Sequence, residues 1–107
     1  MKIARIVLPM LDNQGKSLWD EHEHLMKRLL ELWGGFTSYE GLGKWVDKGK
    51  VYAERIVIYD IAMERQDVTK LRTLALSVCV QARQLSVMIV TPNGDTEFVH
   101  PPVDKAA

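Results

Sequence analysis

The 107-residue sequence lacks the features that mark several large classes of protein. Its single cysteine, Cys79, cannot form an intramolecular disulfide and cannot build a zinc site without other ligands. Fourteen basic and fourteen acidic residues cancel, so the excess of Lys and Arg typical of nucleic-acid-binding proteins is missing. We therefore expect no disulfide framework and no nucleic-acid partner.

Long apolar stretches are missing as well. No apolar run approaches the roughly 20 residues that a bilayer-spanning helix needs, because charged residues or proline interrupt each run. The apolar stretch at the start of the chain is too short for a signal peptide, and no small-residue cleavage site follows it. These absences predict a cytoplasmic protein that has no membrane partner.

What the sequence does have is 47% hydrophobic residues, distributed without an internal repeat or a linker rich in Pro, Gly or Ser. This composition predicts a single α+β domain over residues 1–100. Residues 101–107 begin with two prolines and are expected to form a flexible C-terminal tail. The glycines lack the spacing of a phosphate-binding loop or a dinucleotide fingerprint, so we expect no cofactor.

Hydrophobic periodicity predicts two helices. Apolar residues recur at helical spacing from Leu18 to Trp33, with Ser17 as a plausible N-cap and Gly34 as the stop. His22 lies on this apolar stripe and is expected at the edge of the core. A second apolar stripe follows Asp67, which we expect to cap a helix that ends near residue 84.

Segments rich in Ile, Val and aromatic residues predict five strands, at 3–11, 36–46, 51–63, 87–90 and 96–100. Gly41 and Gly43 within the second strand predict a bulge, a bend or the close approach of another backbone. The order β-α-β-β-α-β is typical of the ferredoxin-like fold, an antiparallel sheet with two helices on one face. We therefore predict this α+β fold with an additional C-terminal β arm.

The predicted sheet has more apolar residues than two helices can cover. Ile56 and Ile58 point to one face, whereas Val57, Tyr59 and Ile61 point to the other. Leaving about six such side chains in water would forfeit ~1.5–3 kcal/mol each. We expect the second face to form a homodimer or larger homo-oligomer, with the arm at 92–100 reaching across to the neighbour. The alternative is that this arm folds over its own sheet.

Polar and aromatic residues of the predicted strands form the candidate site. Pairing of the first and third strands would place Arg5 near Asp60, and Glu54 near the opposite end. Charges on a sheet are either paired, here as a salt bridge at a subunit interface, or they anchor a ligand in an apolar cleft. The candidate ligand-binding residues are Thr37, Tyr39, Trp45, Tyr52 and Glu54.

Other candidates are weaker. Helical spacing brings Asp20, Glu21 and His24 together, but a catalytic metal needs at least three protein ligands and a structural one four, so we expect no metal site. His100 is a possible base without an identifiable partner. Cys79 lies on a buried stripe, where free cysteines are usually inert.

The segments 34–37, 41–45 and 49–54, with their glycines, Trp45 and Glu54, resemble small bacterial proteins of ferredoxin-like fold. The element order is also similar to that of dimeric α+β barrel proteins and PII-like signalling proteins. The former include cofactor-free monooxygenases and binding proteins. The resemblance brings no established activity with it. Because the strands are apolar on both faces and no catalytic set is present, we predict a small homo-oligomer that binds a small molecule or a protein and has no catalytic role. The alternative is a cofactor-free enzyme that uses Glu54 or His100 as acid or base in a pocket between the sheet and a partner subunit.

Overall fold

The computed structural model describes residues 1–102, so most of the predicted tail at 101–107 lies outside the described residues. Strands and helices follow one another as β1 Lys2–Pro9, α1 Trp19–Trp33, β2 Thr37–Asp47, β3 Lys50–Met63, α2 Val68–Gln81, β4 Val87–Val90 and β5 Thr96–Val99. Neither helix in this part of the chain is long and apolar enough to cross a membrane. The predicted α+β element order is confirmed.

The strands form one sheet in the order β2-β3-β1-β4-β5. Every neighbouring pair is antiparallel. β1 lies at the centre because it is apolar on both faces and pairs with β3 on one side and with β4 on the other. This is the strand arrangement of the predicted ferredoxin-like fold, extended by one strand.

The core lies between one face of the sheet and the two helices. β1 directs the fully buried side chains of Ala4, Ile6 and Leu8 to this face, and β3 adds Tyr59 and Ile61. The helices contribute their apolar stripes, with Leu25, Leu29, Leu71, Leu74, Ala75, Val78 and Cys79 in the same cluster. Both helices therefore cover the same face, and no element of residues 1–102 covers the opposite face, which we call the open face.

The helix caps differ in detail from the sequence prediction. Ser17 is not the N-cap of α1, because Leu18 occupies that position and Ser17 Oγ accepts a hydrogen bond from the Trp19 N–H at 3.2 Å. Asp67 precedes α2 but makes no capping bond to it. A 3-10 turn comes before α2, and the Asp67 carboxylate accepts the Glu64 N–H at 3.0 Å there. Gly34 ends α1 as predicted, with a left-handed φ of 78°.

The glycines of β2 do not form a bulge. The register runs unbroken from Thr37 opposite Asp60 to Asp47 opposite Lys50. A Cβ added to Gly41 would lie 3.2 Å from Cδ1 of Ile58, so Gly41 provides room for a side chain of the neighbouring strand. The predicted bulge is wrong, and the predicted close approach involves a side chain instead of a backbone.

The C-terminal arm extends its own sheet. β5 pairs with β4 along the edge of its own sheet, and contact of the arm with a neighbouring copy stays a prediction. The arm does not fold over the open face. Arg72 of α2 holds the arm through two hydrogen bonds to the Glu97 carboxylate, at 2.8 and 2.6 Å.

Candidate functional site

The open face of the sheet carries many apolar side chains. Because side chains alternate along a strand, the residues that share this face follow from the register. They are Ile3, Val7, Tyr39, Trp45, Tyr52, Ile56, Ile58, Met88, Val90 and Phe98. The side chains of Ile3 and Phe98 are 60% and 63% exposed. Within residues 1–102 no helix or strand covers this face, which agrees with the apolar excess seen in the sequence.

Arg5, Tyr39 and Asp60 form a closed hydrogen-bonded cluster at one end of the open face. Arg5 Nε and Nη2 donate to the two carboxylate oxygens of Asp60 at 2.8 and 3.2 Å. Tyr39 Oη donates to Asp60 at 2.9 Å and accepts from Arg5 Nη2 at 2.9 Å. These bonds from Arg5, and the one from Tyr39, lower the pKa of the Asp60 carboxyl. The predicted proximity of Arg5 and Asp60 is confirmed, and the cluster has little capacity left for a ligand.

A cleft lies at the other end, where the β2–β3 hairpin faces the loop after β1. Trp45 and Tyr52 stack with ring centroids 5.5 Å apart and planes 13° apart. Together with Ala53, Glu54, Arg55 and residues 10–13 they line a cavity of about 670 Å³, which we call the hairpin cleft. Arg55 lies on the opposite face of β3 from Glu54. A neighbouring cavity of about 570 Å³ shares Trp45 and Glu54 and extends across the open face to Phe98.

Glu54 is the chemically distinctive residue of the hairpin cleft. Its side chain is partly buried, and burial raises the pKa of its carboxyl. Among the described residues 1–102, no hydrogen-bond donor or cation pairs with this carboxylate. The nearby Lys50 ammonium lies 5.2 Å from the centroid of the Tyr52 ring instead. Glu54 is therefore free to pair with a donor from outside the chain or to exchange a proton.

The structure does not bring the five predicted ligand-binding residues into one pocket. Trp45, Tyr52 and Glu54 line the hairpin cleft, whereas Tyr39 belongs to the Arg5–Asp60 cluster. Thr37 stands opposite Asp60 at the far end of β2. Trp45 lies six positions after Tyr39 along β2, which corresponds to about 20 Å.

The sequence prediction underestimated His22. It was expected at the edge of the core, but it is 3% exposed. Its Nδ1 lies 2.6 Å from Tyr59 Oη, and its Nε2 lies 2.8 Å from the carbonyl oxygen of Pro9. The spacing of His22 with Leu25 and Leu29 was the available signal, since it places all three on the buried stripe of α1.

The remaining candidates make local contacts. Cys79 is buried, its Sγ donates to the Gln84 carbonyl at 3.1 Å, and burial raises the pKa of its thiol. His100 is exposed, with Nδ1 2.9 Å from the Pro101 carbonyl. Within the part of the chain that the structure describes, no group of three or more His, Cys, Asp or Glu side chains is arranged to hold a metal ion.

Comparison with known proteins identifies the fold. No protein-family model matches the sequence, and no curated protein matches it significantly. Among solved structures, a phage SAM lyase in complex with S-methyl-5'-thioadenosine is similar, with 16% identity, a TM-score of 0.68, and coverage of 92% of this chain and 88% of that chain. The PII-like protein CutA from Nostoc sp. PCC 7120 in apo form has 22% identity and a TM-score of 0.53, with coverage of 97% and 82%.

CutA1 from Pyrococcus horikoshii OT3 gives 16% identity and a TM-score of 0.54, and it covers all of this chain and 87% of its own. At such identities the likeness concerns the fold. The chain thus has a ferredoxin-like α+β fold of the kind found in PII-like proteins and in a phage lyase.

Proposed function

We propose that the protein assembles with copies of itself through the open face and binds a small molecule in the hairpin cleft. The observation that supports assembly is the apolar character of the open face over residues 1–102. Burying six large side chains there would contribute about 10 kcal/mol before the costs of association. The open face of a second copy is a chemically matching partner, because a two-fold interface uses the same surface of both copies.

The charges of the open face are compatible with such an assembly. Arg5 and Asp60 neutralise each other within one chain, so this pair brings no uncompensated charge into the interface. Glu54, the unpaired carboxylate of the open face, lies towards the hairpin end of β3. The chain as a whole has a formal net charge of zero, which gives no long-range repulsion between copies.

Replacement of Ile58 tests the assembly. Ile58 lies on the open face of the central part of β3, and Ile58→Glu would place a charge in the proposed interface. Leu42→Glu is the matched control, because Leu42 is a 62% exposed residue on the opposite face of the neighbouring strand. We expect light scattering after size-exclusion chromatography to show a dimer or larger assembly for the unmodified protein and L42E. I58E should be monomeric, with unchanged circular dichroism. A monomeric unmodified protein at micromolar concentration would refute self-association.

The chemistry of the hairpin cleft favours a small organic cation. The Trp45 ring attracts cations through its quadrupole, as the Tyr52 ring already does for the Lys50 ammonium. Glu54 adds an acceptor that has no partner in residues 1–102. A few convergent polar groups in an otherwise apolar cleft are the usual composition of a ligand site.

A cofactor-free enzyme is the second candidate function, and the raised pKa of Glu54 favours it. A carboxyl that protonates closer to neutral pH can act as a general acid or base. One similar structure is a SAM lyase in complex with S-methyl-5'-thioadenosine. SAM carries a sulfonium, which is an organic cation, and it is therefore our first probe for both candidate functions.

Glu54→Gln separates binding from catalysis. Isothermal titration calorimetry with SAM should show saturable binding that E54Q weakens about tenfold, the effect of losing one charged hydrogen bond. The exposed Glu23 on α1 provides the control, E23Q. Chromatographic detection of S-methyl-5'-thioadenosine made by the unmodified protein but not by E54Q would establish the enzyme. Binding without turnover supports the binding protein, and absence of binding removes SAM as the ligand of both.

A further inference from the structure

A separate cavity lies on the helix side of the sheet, between α1 and the edge strand β2. Its volume is about 280 Å³. Trp19 and Met26 of α1 form an apolar wall, Ser38 and Glu40 come from β2, and His22 and Tyr59 contribute buried polar groups. We call it the helix-side cavity. It shares only Met10 with the hairpin cleft.

Hydrogen bonding fixes which protons His22 and Tyr59 carry. The Pro9 carbonyl can only accept, so His22 Nε2 carries the proton that it donates across 2.8 Å. Burial lowers the pKa of His22, which keeps the imidazole neutral at pH 7. Nδ1 is then a bare acceptor, and the contact of 2.6 Å requires Tyr59 Oη to donate to it. Burial raises the pKa of Tyr59 to about 12, so this hydroxyl keeps its proton.

Tyr59 Oη and the Glu40 carboxylate therefore offer acceptors to the helix-side cavity, and the Ser17 and Ser38 hydroxyls that also line it can donate as well as accept. The only proton of Tyr59 Oη is committed to His22, which leaves a lone pair as its remaining hydrogen-bonding capacity. Glu40 lines the same cavity, and in the part of the chain described here its carboxylate has no cationic partner. Trp19, which is 58% exposed, lines the same cavity.

We propose that the helix-side cavity binds a small aromatic amine in its protonated form. The ammonium would donate to the Glu40 carboxylate and the Tyr59 oxygen, while the aromatic ring would pack against Trp19 and Met26. Both acceptors match a donor-only cation, whereas the negative charge of Glu40 would repel a carboxylate ligand. The volume limits the ligand to one ring with a short chain. The proposal depends neither on self-association nor on occupancy of the hairpin cleft.

Phenethylamine is the probe, and phenylacetate is its matched anion. Nuclear magnetic resonance of the tryptophan indole N–H groups reports binding at Trp19, whose signal is assigned with Trp19→Phe. We expect phenethylamine to shift the Trp19 signal saturably and more than the signals of the other two tryptophans. Phenylacetate should produce no saturable shift. Equal shifts with both probes, or no saturable shift with phenethylamine, would overturn the proposal.

Two variants locate the site while His22 and Tyr59 themselves remain unsubstituted. Glu40→Gln should weaken phenethylamine binding about tenfold, as expected for one charged hydrogen bond. Ser38→Leu should abolish binding, because a leucine on this face of β2 fills the cavity. Glu23→Gln on the exposed side of α1 is the control for charge and should leave the affinity unchanged. Unchanged affinity in both E40Q and S38L would place the amine elsewhere and refute the assignment.

Discussion

The imidazole of His22 joins three parts of the chain. It is carried by α1, it accepts the Tyr59 proton from β3, and it donates to the Pro9 carbonyl at the end of β1. Both hydrogen bonds are buried, where an unsatisfied polar group costs about 1–3 kcal/mol. The neutral form is the one that satisfies both bonds, so stability depends on the protonation of this side chain.

The folded protein should lose stability as the pH falls through the titration range of His22. Burial lowers the folded-state pKa of His22 below its ordinary value of 6.5. Between the two values the unfolded chain binds more protons, so the free energy of unfolding rises with pH and falls on acidification. Urea denaturation between about pH 5 and pH 7 measures this slope.

His22→Gln should flatten the slope, whereas His24→Gln changes an exposed histidine of the same helix and is the control. If H22Q keeps the slope of the unmodified protein, another group causes the pH dependence.

Removal of the Tyr59 hydroxyl should destabilise the protein. Tyr59→Phe leaves Nδ1 of the buried His22 without its donor, and the expected loss is about 1–3 kcal/mol in the free energy of unfolding. Tyr52→Phe is the matched control, because the Tyr52 side chain is 37% exposed. Urea denaturation of both variants gives the comparison. Equal effects of Y59F and Y52F would contradict the role assigned to the buried hydrogen bond.

For a single residue, the sequence predicts whether the side chain is buried better than it predicts its hydrogen-bond partners. The helical stripe placed Cys79 in the core correctly. The same stripe passes through His22. The hydrogen-bond partners of His22 are Pro9 and Tyr59, which lie 13 and 37 positions away in the sequence. Such contacts follow from the packing of α1 on the sheet, which periodicity within one helix does not specify. For that reason the polar groups of the helix-side cavity were not predicted.

The distal part of the β2–β3 hairpin extends beyond the end of β1. β1 pairs with β3 only between Ile56 and Met63, so the part of β3 from Lys50 to Arg55 has β2 as its strand partner on one side only. A two-residue turn with positive φ at Lys48 and Gly49, 51° and 77°, closes it. The hairpin cleft lies along this projecting part.

Gly41 and Gly43 should respond differently to the same substitution. A Cβ at Gly41 would meet Ile58 at 3.2 Å, whereas at Gly43 the nearest atom is 3.8 Å away. Gly41→Val therefore overpacks the space between β2 and β3 and should cost about 1–3 kcal/mol in the free energy of unfolding. Gly43→Val should change it by less than about 0.5 kcal/mol. Chemical denaturation of both variants tests the difference, and equal costs would show that Ile58 moves aside freely.

Most of the elements were predictable because their signals are local. The apolar stripe predicted α1, and the strand segments at 36–46 and 51–63 predicted the two strands of the hairpin. The interpretation of the β2 glycines was less successful, since a bulge and a space for a neighbouring side chain both call for small residues. The register and the shape of Ile58 decide between these possibilities. Both depend on the partner strand.

The two faces of the sheet give the whole molecule its two kinds of surface. The helix side contains the buried core, and the open side carries apolar groups without a covering element in residues 1–102. This asymmetry was visible in the sequence, because two helices cover only one face. Tyr39 lies with Trp45 on the open face but at the opposite end of β2, so the predicted ligand-binding residues are distributed over two places on that face.

Thermal stability should depend on protein concentration. If the open faces pair, association stabilises the folded state by mass action, and Tm rises with concentration. Calorimetry over about a hundredfold range of concentration should show the rise for the unmodified protein and for Leu42→Glu. The Tm of Ile58→Glu should be independent of concentration. A concentration-independent Tm for the unmodified protein would exclude assembly coupled to folding.

The central position of β1 also determines when the sheet can be completed during synthesis. β1 is made first, yet its partners are residues 56–63 in β3 and 88–90 in β4. Its second edge therefore stays unpaired until nearly all of the described chain has been made. Pairing over such separations is slow compared with helix formation. A nascent chain that stops before β4 would expose a highly apolar strand edge, which is a substrate for chaperones and a starting point for aggregation.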